Sequence, residues 1–177
     1  MIEFKTKVLS REIAQAVYDK KMKIGTAESC TGGRLAESLI AVPGSSNYYE
    51  GGVIAYSEEL KKKILGVDAQ VIEEQTCVCE EVARQMVLGT IECLGVDIAV
   101  ATTGTAGPSG GTPEVPVGTI WIAVGTKDDI RTLKLTEDNG RDTNLAVATN
   151  TALQMLHDFV RELFPEPEEV AVELTAG

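Results

Sequence analysis

Residues 22–41 constrain the fold of this chain more than any other stretch. Met22 to Ala27 is apolar and short, as a buried strand is, and Arg34 to Ala41 has the composition of a helix. Thr26-Ala27-Glu28-Ser29-Cys30-Thr31-Gly32-Gly33 joins the two. A strand that passes through Ser-Cys-Thr-Gly-Gly into a helix places nucleophilic side chains at the carboxyl end of the strand. The glycines allow a sharp turn, and the first N–H groups of the helix carry partial positive charge that suits a phosphate or a developing oxyanion. Read as structure alone, the same stretch is a strand-to-helix turn in which Thr31 is a good N-cap.

The rest of the chain extends this βα pattern. Val8 to Lys20 reads as a surface helix, with apolar positions at Val8, Ile13, Ala16 and Val17. The helix after Gly33 ends before Pro43-Gly44, and Gly51 to Tyr56 reads as a buried strand. Ser57 is placed to cap a short helix carrying Lys61, Lys62 and Lys63, which Gly66 stops. Asp68 to Gln75 and Glu80 to Leu94 predict helices, and Asp97 to Thr103 predicts an apolar strand. Gly104 to Pro116 is too long and glycine-rich for a plain connector. Gly118 to Val124 and Arg131 to Leu135 predict an antiparallel pair, and Gly140-Arg141-Asp142 opens a helix that runs to about Leu163. Interleaved helices and strands with a late hairpin predict an α/β fold: a three-layer α/β/α sandwich on a mixed, largely parallel sheet. Residues 1–164 form one domain in this reading, followed by an acidic tail over 165–177. Val170, Val172 and Leu174 alternate in that tail, which suits an edge strand or a segment docked on another surface.

Composition removes several functions. The net charge of −11 disfavours a general nucleic-acid binder, which needs a basic surface to neutralise phosphates. No apolar run approaches a membrane span, and the residues after Met1 lack the apolar core of a signal peptide. Cys77 and Cys79 form C-x-C without a second pair at zinc-like spacing, and His157 is the one histidine, so no metal site is expected. Free thiols fit a cytoplasmic protein. There is no P-loop, and no G-x-G-x-x-G after the first strand. His157 lies late on the final helix, where a packing or surface role is expected.

What remains is a serine or cysteine at a helix N-terminus with no histidine to activate it. Lysine is the other common base, provided burial or a neighbouring cation leaves it neutral. Lys61 is the best placed, although one lysine of three in a row is ordinarily a solvated helix face. Composition does not choose between Ser29 and Cys30, because a thiol at a helix N-terminus ionises easily.

Seven motifs occur together and in order: Ala27-Glu-Ser-Cys-Thr-Gly-Gly33, Pro43-Gly-Ser-Ser46, Tyr56-Ser57 with Lys61, Leu65-Gly-Val67, Gly104-x-Ala-Gly-Pro108, Pro116-Val-Gly-Thr119 and Gly140-Arg141-Asp142. Over roughly residues 8–163 the chain resembles the C-terminal domain family of the competence-damage protein CinA, whose stand-alone members are nicotinamide-nucleotide amidases. The resemblance implies hydrolysis of the carboxamide of nicotinamide mononucleotide, a small pyridine nucleotide, to nicotinate mononucleotide and ammonia. It implies no metal or other cofactor. By resemblance Ser29 is the nucleophile and Lys61 its general base, with Tyr56 and Ser46 around them. Thr31, Gly32 and Gly33 supply turn donors, while Gly104, Thr105 and Gly107 hold the substrate and Arg141 adds positive charge. The resemblance and the alternating tail also imply a homodimer or larger assembly, with neither nucleic acid nor membrane as a partner.

Three positions depart from the family pattern. Glu58 stands for an asparagine, Val115 for a loop lysine, and Leu145 for a second arginine one turn after the first. Fewer cations and an added anion weaken the field for a phosphate monoester. Two function classes follow: an amidohydrolase acting on a pyridine nucleotide, or a catalytically silent binding or regulatory domain that keeps the pocket.

Overall fold

The structure, a computed structural model, describes residues 2–165. Its elements run α1 (Ile2–Val17), β1 (Ile24–Glu28), α2 (Arg34–Ile40), a 3-10 turn (Ser45–Asn47), β2 (Tyr49–Ile54), α3 (Glu58–Leu65), α4 (Ala69–Gln75), α5 (Glu80–Leu94), β3 (Ile98–Gly104), β4 (Ile120–Gly125), β5 (Ile130–Leu135) and α6 (Arg141–Leu163). The five strands form one sheet in the order β2-β1-β3-β4-β5. β1 pairs in parallel with both β2 and β3, whereas β4 is antiparallel to β3 and to β5. Four strands therefore point one way and β4 the other, which is the expected mixed α/β sandwich.

Strand alternation decides which helices cover which face. Ile98 and Val100 of β3 join Ile120, Ile122 and Val124 of β4 in a core closed by α1, α2 and α6, through Leu9, Ile13, Leu35, Leu39, Leu153, Leu156 and Phe159. The alternate residues Ala27, Ala99, Ala101 and Ala123 face α3, α4 and α5, meeting Leu65, Ile72, Val82, Met86 and Val87. Each large aliphatic side chain removed from water contributes about 1.5–3 kcal/mol, so the face of bulky residues supplies more of the burial. The alanine face lets α5 lie close to the sheet. Gly89 brings it close to α3 as well, since a Cβ there would collide with the Leu65 carbonyl oxygen.

β2 differs from expectation. It is an edge strand covering Tyr49–Ile54, and its residues alternate between half-buried and exposed. Among the described residues only β1 pairs with it, so its apolar sequence does not make it a buried strand. The Val170 to Leu174 tail lies outside the described residues. No helix among the described residues is long and apolar enough to cross a membrane.

Candidate active site

The parallel register carries β1 past Glu28 to Ser29, whose N–H donates to the Thr102 carbonyl of β3 at 3.0 Å. Ser29 is only 7% exposed. α3 begins where β2 leaves the sheet, with the Ser57 side chain accepting from the Leu60 N–H at its N-terminus. Lys61 and Leu65 lie four residues apart on one helix face, and both are buried. Lys61 is thus removed from the solvated face expected of a lysine run. It is 1% exposed, while Lys63 is at the surface and Lys62 pairs with Glu59 at 3.2 Å. The Lys61 Nζ donates to Ser29 Oγ at 2.9 Å and to the Ala55 carbonyl oxygen at 2.9 Å. Burial pushes its pKa below the ordinary lysine value, and the nearby Cys77, Cys30 and Glu58 pull it partly back up.

Cys30 stands next to Ser29 but differs in chemistry. Burial pushes its thiol up to about 11, outweighing the backbone N–H groups of Cys30 and Thr31 and the Lys61 charge, which favour the thiolate. At neutral pH it is a protonated thiol and a poor nucleophile. The Cys77 thiol is also raised, chiefly by burial.

Four expected substrate contacts are placed elsewhere. Thr31 is buried and does not cap α2; its Oγ1 donates to Glu28 Oε2 at 2.7 Å and lies 2.7 Å from Thr102 Oγ1. The N-cap of α2 is Gly33, at φ 105°, with no side chain to offer. The N–H of Gly33 goes to Glu28 Oε2, and that of Gly32 goes back to the Ser29 carbonyl. The carboxylate of Glu28 therefore fills the helix end expected to receive an anion. Ser46 lies in the 3-10 turn ahead of β2, where its carbonyl accepts from Lys23 Nζ at 3.2 Å. β1 and β2 are parallel, so this turn sits at the amino end of β1 while Ser29 sits at its carboxyl end, about 16 Å away along a five-residue strand.

The other expected residues do converge. Ser29, Lys61, Tyr56, Gly104, Thr105, Gly107 and Arg141 line one cavity of about 220 Å³. Tyr56 is 62% exposed and stands at its rim. Arg141, the first residue of α6, donates from Nη1 to the Gly107 carbonyl at 2.8 Å, and Asn144 Nδ2 donates to the Ala106 carbonyl at 3.1 Å. The first turn of α6 thus fastens the glycine loop across the cavity. Among the described residues, no backbone acceptor takes the N–H of Ala106 or Gly107. The cavity wall also includes Cys30, weighed above as a rival nucleophile, together with Cys77, Val78, Thr103, Ala106, Ser109 and Gly110, to which sequence reasoning gave no part in the site. Ser109 sits in Gly107-Pro-Ser-Gly-Gly111, which has the letters of a nucleophile elbow but forms a loop between strands. Of the departures, Leu145 and Val115 are buried, Leu145 within the core beneath α6, and Glu58 is exposed in the first turn of α3. His157 lies far along α6, between Glu12 at 3.2 Å and Asp158 at 2.8 Å.

The family model of the CinA C-terminal domain matches residues 6–160. The chain belongs to that family. It is 41% identical over 160 residues to a CinA-like protein of Cytophaga hutchinsonii, covering 90% of this chain and 38% of that protein. A CinA-like protein of Gemmatimonas aurantiaca is 49% identical over 115 residues, or 65% of this chain and 27% of the relative. The chain therefore spans between a quarter and two-fifths of the curated CinA relatives it matches. A CinA superfamily protein of Klebsiella pneumoniae superposes with a TM-score of 0.84 at 32% identity, covering 89% of this chain and 98% of that one. A CinA superfamily protein of Escherichia coli has a TM-score of 0.81 at 36% identity, covering 90% and 91%. Both have the length of a single CinA domain, and the α/β architecture described above is theirs.

Proposed function

We propose that the chain is an amidohydrolase that cleaves the carboxamide of nicotinamide mononucleotide by a Ser29–Lys61 mechanism. The observation that carries this reading is the buried amine of Lys61, 2.9 Å from Ser29 Oγ. As the neutral amine, Lys61 keeps one N–H on the Ala55 carbonyl and turns its lone pair to the serine hydroxyl, which then donates. Lys61 takes the proton as Ser29 Oγ attacks the carboxamide carbon, and it returns that proton to the departing nitrogen. The C–N bond breaks, ammonia leaves, and an ester to Ser29 remains. Water, deprotonated by the same amine, then cleaves the ester to the carboxylate.

The rest of the cavity suits this chemistry. The N–H groups of Ala106 and Gly107, in the loop lining the cavity, are available to a developing oxyanion. Arg141 keeps guanidinium donors beyond the one given to Gly107, enough to take a phosphate oxygen. With the α2 terminus filled by Glu28, Arg141 is the cation at the cavity edge best able to hold that group. Ammonia release from nicotinamide mononucleotide, run beside calorimetric binding of the same nucleotide, tests the proposal. Stoichiometric ammonia and nicotinate mononucleotide support it. Binding without ammonia overturns it in favour of a silent binding domain.

A further inference from the structure

Glu28 is the last residue of β1, and its peptide bond leads directly into Ser29. Its side chain is 1% exposed. A carboxylate out of water is costly unless it is fully hydrogen-bonded. Here Oε2 accepts from Thr31 Oγ1 at 2.7 Å, Gly33 N at 3.0 Å and Leu35 N at 3.1 Å, while Oε1 accepts from Ala36 N at 2.9 Å. An ordinary helix cap comes from the N-cap residue itself. In this chain the N-cap is a glycine, and the cap reaches forward from the strand, across the nucleophile.

The backbone of Glu28 belongs to the same assembly. Its carbonyl accepts from Ala55 N at 2.8 Å, and the Ala55 carbonyl accepts from Lys61 Nζ at 2.9 Å. One residue therefore joins the end of β1, the first turn of α2 and the segment that holds the lysine. Ser29 lies between the two ends of this brace, so the direction of its Cα–Cβ bond, and with it the reach of Oγ to Lys61, follows from the turn that the carboxylate closes. The charge of Glu28 also opposes a thiolate on Cys30.

We propose that Glu28 is a positioning residue whose buried carboxylate ties the first turn of α2 to the end of β1 and thereby holds Ser29 Oγ on Lys61. The proposal rests on the reading of Ser29 and Lys61 as the reacting pair. It predicts loss of serine reactivity with substrate binding left intact, because Glu28 does not line the cavity.

The test measures Ser29 labelling by an alkyl fluorophosphonate, together with kcat and KM, in the wild type, Glu28→Gln and Glu28→Ala. Circular dichroism checks that each variant is folded. Gln keeps one acceptor oxygen, and labelling should slow about 10-fold; Ala removes the brace, and labelling should slow about 100-fold, with KM within about twofold in both. Added formate, which fits among the four vacated donors, should restore part of the rate in Glu28→Ala. A folded Glu28→Ala labelled at the wild-type rate overturns the proposal, as does a loss confined to KM. Should Glu28→Ala not fold, an unchanged rate in folded Glu28→Gln overturns it equally. A wild type that is not labelled at Ser29 overturns the Ser29–Lys61 reading itself, and the proposal with it.

Discussion

Keeping an ammonium out of water costs several kcal/mol, so burial drives Lys61 toward the neutral amine that can accept a proton from Ser29. The sign of the pH dependence follows. Raising pH increases the neutral fraction, so kcat/KM should climb with pH through a midpoint below the ordinary lysine value of 10.5. Cys77, Cys30 and, least, the exposed Glu58 pull that midpoint up, so Glu58→Gln should move it slightly down; a midpoint that rises contradicts that sign. Steady-state kinetics should find Ser29→Ala and Lys61→Ala each reduced in kcat by about 10³-fold, with little further loss in the double variant. Lys61→Arg should be nearly as inactive, since a guanidinium keeps its proton near neutral pH. Cys30→Ala should retain substantial activity and iodoacetamide should inhibit weakly at neutral pH, because the thiol titrates only at about 11. The strand end put Ser29 and Cys30 side by side without choosing between them, and Lys61 by itself read as a solvated lysine of a helix face, so it was the family resemblance that singled out Ser29 and Lys61. Glu28 was not singled out, because a carboxylate ending an apolar strand looks like a solvent-facing residue. The signal lay in the glycine at the N-cap, which left the helix end to be filled by some other side chain.

At the scale of elements, the contact between Ser29 and Lys61 depends on how α3 lies against α5. Gly89 permits that contact, and a methyl group there would strike the Leu65 carbonyl oxygen. Gly89→Ala should cost about 1–3 kcal/mol in denaturant unfolding and lower kcat as α3 shifts Lys61 away from Ser29. Unchanged stability and turnover would show that α3 is not held there. Helices with strong periodicity, such as Glu80–Leu94, were readable to the residue. The edge position of β2 and the distance of Ser46 from Ser29 were not. The family resemblance implied that Ser46 joins the site, but a parallel β1–β2 pair puts the turn before β2 at the opposite end of the sheet from Ser29.

For the molecule as a whole, the proposed reaction draws on a cavity lined from two sides of the sheet. α6 supplies Arg141 and fastens the glycine loop, while α3 supplies Lys61, the proposed base. Arg141→Ala should raise KM by about 2–3 kcal/mol of lost charge-assisted bonding, with kcat changed much less; an effect on kcat alone would count against it. Ile54 and Tyr56 stay exposed at and just beyond the β2 edge, with Ile40 exposed at the end of α2. Light scattering at micromolar concentration should give at least twice the 18.9 kDa chain mass, and a monomer alone would refute the expected dimer. The three-layer architecture was legible from the order of strands and helices. Which helix covered which face was not, because it depends on the alternation of isoleucines and alanines in the paired register of β3 and β4.

The central claim is that Ser29 carries the acyl group. The most direct measurement is intact-protein mass spectrometry of the wild type, quenched in acid during turnover of nicotinamide mononucleotide, followed by peptide mapping. The account predicts an adduct equal to the nucleotide less ammonia, mapped to Ser29 and absent from Ser29→Ala. An adduct on Cys30, or ammonia release at a near-normal rate by Ser29→Ala, would contradict it.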